Sequence, residues 1–433
     1  CHIESSTLLE PFMRLYKWTG EKRFLDFATY IIDAGGTKHY NLFENALNNV
    51  NPWEMAGHYP KAYEMMSLFE GLAEYYRVIG NPQHKEMLLN MFQNIGTKEI
   101  TIIGNGGSDQ PYHPYVYGEA WGNTALEQTN PDITRMMETC VGVTWMKFCS
   151  QLLRLTGDPS VADYIEKYAY NGLIGAMKPT GDGFSYVNLL NGSKVTDEGW
   201  GWKFDSLQVT CCNLNGPMGL AYIPYVAVMN SDNGPVINLY NRGDFAFETP
   251  GKRPGSITIN TDYPVSGKIQ IRLHLKKSEP FTIRLRIPEW SEATTVSVNN
   301  ELIEVSPGSY AEINRKWETD DSIDLELDMR CRVIDAPRGS NRAGDNFQAV
   351  VYGPVVLARD ENIESDYNEP IRLASEKGFI KALQQQPVNG RSNLQFSVPV
   401  QGGKYITLID YASVNNWGNG MHVCTWLPIK ENE

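Results

Sequence analysis

Residues 15–21, Leu-Tyr-Lys-Trp-Thr-Gly-Glu, end a helical apolar pattern with a glycine, and a second amphipathic stretch follows at residues 24–32. The same arrangement returns around Gly80 and again around Gly157. A glycine just after a helix can adopt the left-handed backbone that closes it, so each copy predicts two helices joined in a hairpin. The three glycines are 60 and then 77 residues apart. This unequal spacing predicts a helical toroid with long loops rather than a regular solenoid.

From about Gly234 the apolar residues alternate with polar ones. The alternation is clearest in three segments, residues 269–275, 281–287 and 323–329. A period of two residues is typical of half-buried strands, and several such segments separated by turns are typical of a β-sandwich. We therefore predict a multidomain chain of class α then β, with a helical domain at residues 1–231 and a β-sandwich region at residues 232–433.

The charge balance excludes some classes of partner. The chain has 433 residues with 38 Lys and Arg against 51 Asp and Glu, so its formal net charge is −13. An acidic chain offers no basic footprint for a phosphate backbone, which disfavours a nucleic-acid partner. The longest apolar stretch, Gly219 to Met229, is too short for a membrane helix and contains Pro224. Length and composition favour a globular protein of two or more domains.

The first residues do not identify a compartment. Cys1 to Glu4 contain no initiator Met, and neither the basic nor the apolar segment of a secretion signal follows. A helical pattern begins almost at once, which we interpret as a start inside a domain. For this bacterial-type chain the cytoplasm, the periplasm and secretion all stay open.

The cysteines suggest chemistry rather than cross-linking. There are seven, an odd number in a large chain, which argues against a disulfide scaffold. Cys140, Cys211 and Cys212 could join Glu138 in a set of three thiols and one carboxylate, which suits tetrahedral zinc. Glu138 and Cys140 are two residues apart, so their side chains converge only at a helix start or an irregular turn. On spacing alone, buried cysteines without a ligand are an equal alternative.

A nucleophile and an acid can also be identified. A helix predicted after Cys212 would place the thiols at the positive end of its dipole, which favours a thiolate. Glu119 lies in a loop rich in glycine and aromatic residues, where functional side chains gather on helical scaffolds. Each candidate also has a simpler interpretation. Glu119 could be a solvated surface carboxylate, His58 a packed or surface histidine, and Tyr186 an ordinary strand residue.

Taken together and in order, the motifs resemble glycoside hydrolase family 127, the β-L-arabinofuranosidase family. The similarity covers nearly the whole chain and is carried by Gly57-His58, Gly118-Glu119-Ala120-Trp121, Glu138-Thr139-Cys140, Tyr186-Val187-Asn188, Cys211-Cys212, Leu285-Arg286-Ile287-Pro288-Glu289-Trp290, Tyr352-Gly353-Pro354 and the segment from Met421 to Pro428. The resemblance implies an (α/α)6-barrel catalytic domain followed by β-sandwich modules. Because it begins partway through the catalytic domain, we expect the barrel to be N-terminally incomplete in this chain.

The resemblance also implies the roles of the site residues. A Zn²⁺ ion would be held by Glu138, Cys140, Cys211 and Cys212. Cys211 would be the nucleophile and Glu119 the general acid/base. His58, Tyr186 and Trp121 would contact the sugar. These roles predict a retaining exo-glycosidase that removes a terminal sugar, with β-L-arabinofuranose expected, from plant-type glycans.

Two other functions fit the same residues. The first is a non-catalytic carbohydrate-binding protein with a structural zinc ion, because four protein ligands leave no open position. The second, a zinc hydrolase acting through bound water, is disfavoured for that same reason. The expected partner is a glycan or oligosaccharide, with no nucleic acid and no membrane span. The oligomeric state is open, and a homodimer is one candidate.

Overall fold

The computed structural model describes residues 3–56, 60–109, 118–133, 135–194, 210–337, 346–387, 392–416 and 420–430. Its first half is helical. The helices are α1 (Leu9–Thr19), α2 (Lys22–Asp33), α3 (Leu42–Leu47), α4 (Ala62–Ile79), α5 (Pro82–Lys98), α6 (Thr124–Glu127), α7 (Thr139–Thr156), α8 (Pro159–Tyr168), α9 (Ile174–Ala176) and α10 (Cys211–Ala227). Short 3₁₀ turns cover Glu4–Leu8 and Pro52–Glu54, and a π turn covers Ala169–Leu173.

The three predicted hairpins are confirmed as α1–α2, α4–α5 and α7–α8. The first helix of each ends at a left-handed glycine, with φ of 72° at Gly20, 75° at Gly80 and 64° at Gly157. Pro82 and Pro159 occupy the first turn of α5 and α8, where the missing N–H costs no hydrogen bond. Sequence signals at both ends of the turn therefore set the second and third hairpins, and a glycine alone marks the first.

The hairpins form two layers. Helices α1, α4, α7 and α10 pack side by side in one layer, and α2, α5 and α8 each pack behind the preceding member of that layer. One apolar core, which includes Phe69, Trp145 and Phe148, fills the space between them. This α/α arrangement confirms the predicted helical domain. Among the described residues, no helix is both long and apolar enough to cross a membrane.

The second half is built from three antiparallel-rich sheets, with one strand, β1, contributed by the helical half. The strands are β1 (Asn191–Ser193), β2 (Val228–Ser231), β3 (Gly234–Ile237), β4 (Gly243–Glu248), β5 (Pro254–Thr261), β6 (Lys268–Leu275), β7 (Glu279–Ile287), β8 (Thr295–Val298), β9 (Glu301–Ile303), β10 (Ser309–Trp317), β11 (Ser322–Glu326), β12 (Cys331–Asp335), β13 (Phe347–Tyr352), β14 (Val355–Asp360), β15 (Ser375–Glu376), β16 (Phe379–Ile380), β17 (Leu383–Gln385), β18 (Gln395–Pro399), β19 (Tyr405–Asp410), β20 (His422–Cys424) and β21 (Leu427–Pro428).

The first two sheets form the predicted sandwich. One has the order β10-β7-β3-β2 and the other β4-β5-β6-β11-β8-β9. Residues of period two face inward from both, for example Ile283 and Leu285 of β7 against Ile271 of β6 and Ile323 of β11. Ile271 and Ile323 are also register partners across β6 and β11. The alternation read from the sequence therefore corresponds to one shared core between two sheets.

The third sheet supports the segment that leads to Glu138. Its path runs β15-β16-β12-β13-β14-β19-β18-β17, and β20 joins it to β1. One face packs on Met136 and Met137 of the helical domain. The buried Trp426 indole also donates a hydrogen bond to Gln128 Oε1 at 3.1 Å. The C-terminal sheet thus fixes the backbone just before α7.

A buried ion cluster joins the sandwich to the helical domain. Arg286 of β7 is fully buried and pairs with Asp163 and, at 2.6 Å, with Glu166 Oε1, both on α8. Tyr263 donates to the same Glu166 oxygen at 2.7 Å, and the Trp290 indole donates to its other oxygen at 3.3 Å. The cluster satisfies a buried carboxylate from three sides, so its parts depend on one another.

Replacing Arg286 by methionine is expected to lower the free energy of unfolding by about 3–5 kcal/mol, because Asp163 and Glu166 lose their buried counter-charge. Arg284→Met is the matched control on the same strand. Its partner Glu312 is exposed, so the expected cost is below about 1 kcal/mol. Denaturant unfolding of the three proteins measures both values. Equal losses from the two substitutions would contradict the role given to the cluster.

Candidate active site

Four side chains from two separate helix starts meet in one cluster. The donor atoms of Glu138, Cys140, Cys211 and Cys212 all lie within 4.8 Å of one another. The Sγ atoms of Cys140 and Cys212 are 3.4 Å apart, and Glu138 Oε1 lies 3.6 Å from Cys211 Sγ and 3.7 Å from Cys212 Sγ. Glu138, Cys140 and Cys212 are buried, whereas Cys211 is exposed. Only one sulfur of the cluster is thus open to an incoming molecule.

The start of α7 explains how Glu138 and Cys140 converge. Glu138 is the N-cap residue of α7, with extended backbone angles of φ −56° and ψ 134°. Met137 before it has a positive φ of 64°, which turns the chain into the helix. Because Glu138 precedes the helical spiral, its side chain can reach the same side as Cys140. The sequence allowed convergence at a helix start or at an irregular turn, and the structure has the helix start.

The start of α10 places the cysteine pair. Thr210 is the N-cap residue, and its hydroxyl accepts a hydrogen bond from the Asn213 N–H at 3.2 Å. Asn215, one turn into the helix, donates its amide to Cys140 Sγ at 3.3 Å and to the Cys211 carbonyl at 3.1 Å. The helix predicted after Cys212 is present but begins earlier, at Cys211, so both cysteines lie in its first turn. It directs the positive end of the α10 dipole toward the sulfurs.

The three thiols of the cluster differ in pKa. Hydrogen bonds from the Cys140 and Cys212 thiols lower the pKa of Cys211 well below its usual value. The bond to Cys211 raises the pKa of the Cys140 thiol, and burial raises that of Cys212. The first thiolate of the group therefore forms at Cys211, the exposed member.

The donor set fits a soft divalent cation. Burial, and then the charges of Glu119 and Cys211, raise the pKa of the Glu138 carboxyl well above its usual value. A cation among these atoms would reverse that cost, because it stabilises the ionised carboxylate and thiolates. Three sulfurs and one carboxylate oxygen match the preference of zinc for tetrahedral thiolate-rich sites.

Glu119 is held from two sides. Its Oε1 accepts a short hydrogen bond from the Tyr186 hydroxyl, and its Oε2 lies 2.8 Å from Lys61 Nζ. Lys61 also reaches Glu64 Oε1 at 3.4 Å. The backbone is fixed as well, since the Ala62 N–H donates to the Glu119 carbonyl at 2.9 Å. Glu119 is therefore a positioned carboxylate rather than a freely solvated surface residue.

Tyr186 connects Glu119 to the sulfur cluster. Its side chain is buried, and burial is the main cause that raises its pKa. Its carbonyl accepts the Thr139 N–H at 2.9 Å and lies 3.8 Å from Cys212 Sγ. A single residue therefore contacts both the carboxylate and the cluster, which brings the two halves of the candidate site together.

The other two residues predicted to contact the sugar are His58 and Trp121. His58 lies outside the described residues. Trp121 is fully buried and belongs to the helical core, so it packs beneath the loop that carries Glu119. Its assignment as a sugar contact stays a prediction, as does that of Tyr186.

Sequence reasoning missed three supporting residues. Lys61 and Asn215 contact the site directly, as described above. Glu99 is buried, and its carboxylate accepts hydrogen bonds from the N–H groups of Gly122, Asn123 and Thr124. It thereby fixes the turn that follows Glu119. The chain carried no signal for Glu99, because its four acceptor contacts are formed more than 20 residues away.

Two family models match the chain. The model described as the catalytic domain of β-L-arabinofuranosidase, GH127, matches residues 2–224, and the model of the middle domain of the same family matches residues 236–329. The first match alone covers half of the chain. The predicted division between residues 231 and 232 lies in the interval between the two matches and stays a prediction.

Relatives agree with these matches. A non-reducing end β-L-arabinofuranosidase from Bifidobacterium longum subsp. longum is 25% identical in an alignment of length 389 that covers 80% of this chain and 56% of that protein. The chain therefore spans little more than half the length of that curated relative. A solved β-L-arabinofuranosidase from Geobacillus stearothermophilus T6 superposes with a TM-score of 0.74 at 21% identity, over 97% of this chain and 71% of its own.

A second solved structure, a β-arabinofuranosidase, superposes with a TM-score of 0.77 at 24% identity, over 97% of this chain and 68% of its own. At these identities the two superpositions show a shared fold. The helical domain followed by β sheets is therefore the architecture of these enzymes as well.

Proposed function

Because the chain belongs to glycoside hydrolase family 127, the β-L-arabinofuranosidase family, we propose that it is a retaining exo-glycosidase that releases terminal β-L-arabinofuranose from glycans. The name of the curated relative, a non-reducing end β-L-arabinofuranosidase, supports both the sugar and the chain end. One observation carries the proposal. Cys211 is the exposed member of the cluster formed with Glu138, Cys140 and Cys212. Tyr186 contacts both this cluster and the Glu119 carboxylate.

In the first half of the reaction, the Cys211 thiolate attacks the anomeric carbon while protonated Glu119 gives its proton to the glycosidic oxygen. The C–O bond to the leaving group breaks and a C–S bond forms, so the sugar is held as a thioglycoside on Cys211. This is the two-group logic of retaining glycosidases, with sulfur in place of the usual carboxylate nucleophile.

In the second half, the Glu119 carboxylate accepts a proton from water as that water attacks the anomeric carbon. The C–S bond breaks, the thiolate returns to Cys211, and two inversions give net retention. Lys61 and Tyr186 hold the two Glu119 oxygens in place between the halves. Lys61 can turn to Glu64 when Glu119 carries its proton, since its ammonium already reaches both carboxylates.

Glu138, Cys140, Cys211 and Cys212 would hold the zinc ion. When bound, it supplies positive charge that keeps the thiolate ionised and fixed in position. Cys140, Cys212 and Glu138 are buried, so they suit the role of permanent ligands. The exposure of Cys211 leaves it as the ligand that can also reach a substrate.

Substrate specificity tests the proposal directly. Hydrolysis of 4-nitrophenyl β-L-arabinofuranoside is expected to exceed that of the α-L-arabinofuranoside and of the β-L-arabinopyranoside by about 100-fold or more in kcat/KM. NMR of the first product formed should show the β-anomer, as retention requires. An initial α-anomer would contradict the double-displacement mechanism.

A carbohydrate-binding protein with structural zinc is the second candidate. The four-ligand set favours it, because closed sites are typical of structural zinc. This function would be supported over catalysis if the protein binds an arabinofuranoside measurably but hydrolyses none of the three glycosides named above.

Metal removal is expected to inactivate the protein. Purified protein should contain about one zinc ion per chain, and a chelator should reduce both kcat and the melting temperature, because zinc binds only the folded cluster. Elemental analysis, the assay and thermal unfolding measure the three effects. Glu138→Gln should lower zinc affinity by about tenfold or more. Full activity in protein shown to be free of metal would overturn the assignment.

A further inference from the structure

A cavity outside the candidate active site lies where the helical domain, the sandwich and the C-terminal sheet meet. Its volume is about 480 Å³, within the range of small-molecule sites, and junctions between domains are common places for such sites. None of its lining residues belongs to the Cys211 cluster or contacts Glu119. It therefore has no part in the proposed reaction.

The acceptors on the wall formed by α8 are already occupied. Asp163 pairs with Arg286 and accepts the Glu289 N–H at 3.4 Å. Glu166 accepts hydrogen bonds from Arg286, Tyr263 and Trp290. Donors of the protein therefore already occupy the acceptor atoms on this wall, although its two carboxylates share a single guanidinium.

Two cationic side chains in the cavity lining, Lys167 and Arg332, have hydrogen-bond donors with no acceptor among the described residues. Lys167 lies at the cavity with its ammonium 5.4 Å from the Tyr164 ring centroid, and no carboxylate among the described residues lies within 4.0 Å of it. Burial lowers the pKa of Lys167. Arg332 donates one hydrogen bond to the Gly353 carbonyl at 3.2 Å, while its buried Nε lacks an acceptor among the described residues. Donors of this kind favour a ligand with an anionic group that accepts their hydrogen bonds.

An aromatic ring lies beside Arg332. Trp290 lines the cavity and is half-buried, and the Arg332 guanidinium carbon lies 5.9 Å from its ring centroid. The hydrogen bond from its indole to Glu166 fixes the ring orientation. A fixed aromatic face next to polar donors suits a sugar ring, which offers C–H groups on one side and oxygens at its edge.

We propose that this cavity is a second glycan-binding site that takes an acidic sugar, a hexuronate unit, with its carboxylate at Lys167 and Arg332 and its ring against Trp290. The site goes beyond the proposed hydrolysis of arabinofuranosides and does not depend on it. Glu289 and Asp335 also line the cavity, but both are exposed, so solvent and salt screen their charge more than they screen the half-buried cations.

Calorimetric titration with sodium D-galacturonate and with D-galactose tests the site. Galacturonate is expected to bind with a Kd of about 1 mM, at least about tenfold tighter than galactose, since only the former offers a carboxylate to the cations. Lys167→Met and Arg332→Gln should each weaken galacturonate binding by about tenfold. Lys252→Met is the matched control, because Lys252 is exposed and distant in the β4–β5 turn.

Lys167→Met should hydrolyse the aryl arabinofuranoside as the unchanged protein does, which separates this site from the proposed function. Should either variant fail to fold, the salt dependence of the unchanged protein gives the second measurement: galacturonate binding should weaken with NaCl and galactose binding should not. Equal affinity for galacturonate and galactose, or unaltered galacturonate binding by both folded variants, would overturn the proposal.

Discussion

Cys211→Ser is expected to reduce kcat on an aryl β-L-arabinofuranoside by about 10⁴-fold or more, which is the usual cost of losing a nucleophile. The hydroxyl of serine is far less acidic than a thiol, so it does not form the anion that attacks the anomeric carbon. The three buried members of the cluster, Glu138, Cys140 and Cys212, remain in place. The substitution should therefore cost much less in melting temperature than in turnover.

The matched control is Cys149→Ala. Cys149 lies in α7, the helix that also carries Cys140, but it is buried away from the cluster as a free thiol. Its loss should cost stability through a small cavity and leave kcat within about twofold. Mass spectrometry of the unchanged protein after a slow substrate should find the sugar on Cys211. Turnover by Cys211→Ser at the rate of the unchanged protein would exclude the cysteine as nucleophile.

Glu119→Gln is expected to reduce kcat by about 10²–10⁴-fold, the usual contribution of a general acid/base. The loss should depend on the leaving group. An alkyl arabinofuranoside, whose departing oxygen needs a proton, should lose more activity than a 4-nitrophenyl glycoside, whose leaving group departs as a stable anion. Steady-state rates on the two substrates measure this difference.

Glu64→Gln is the control for Glu119→Gln, because Glu64 shares Lys61 with Glu119 but lies one step further from the cluster. It should change kcat by about tenfold at most and show no dependence on the leaving group. If Glu119→Gln slowed both substrates equally, Glu119 would be a positioning residue and another group would have to supply the proton.

Local periodicity predicted much of the fold. The hairpins around Gly20, Gly80 and Gly157 and the alternating strands were visible because a helix or strand end depends on residues close along the chain. The sandwich followed from the same alternation. The third sheet was harder to predict from sequence. Its strand β1 pairs with β20 across more than 220 residues, and only packing can select such a partner.

For the site, the sequence by itself determined the chemical types: three thiols, a carboxylate at a helix start and a glutamate in a loop. Tertiary structure decided which of them lie close together. It buried Cys212 and exposed Cys211, although the two are adjacent in sequence. It also placed Lys61 and Tyr186 on either side of Glu119. The physical reason is that burial and charge pairing are set by groups that approach across the folded chain, whereas a pattern of residue types reports only the neighbours within a helix, a strand or a turn.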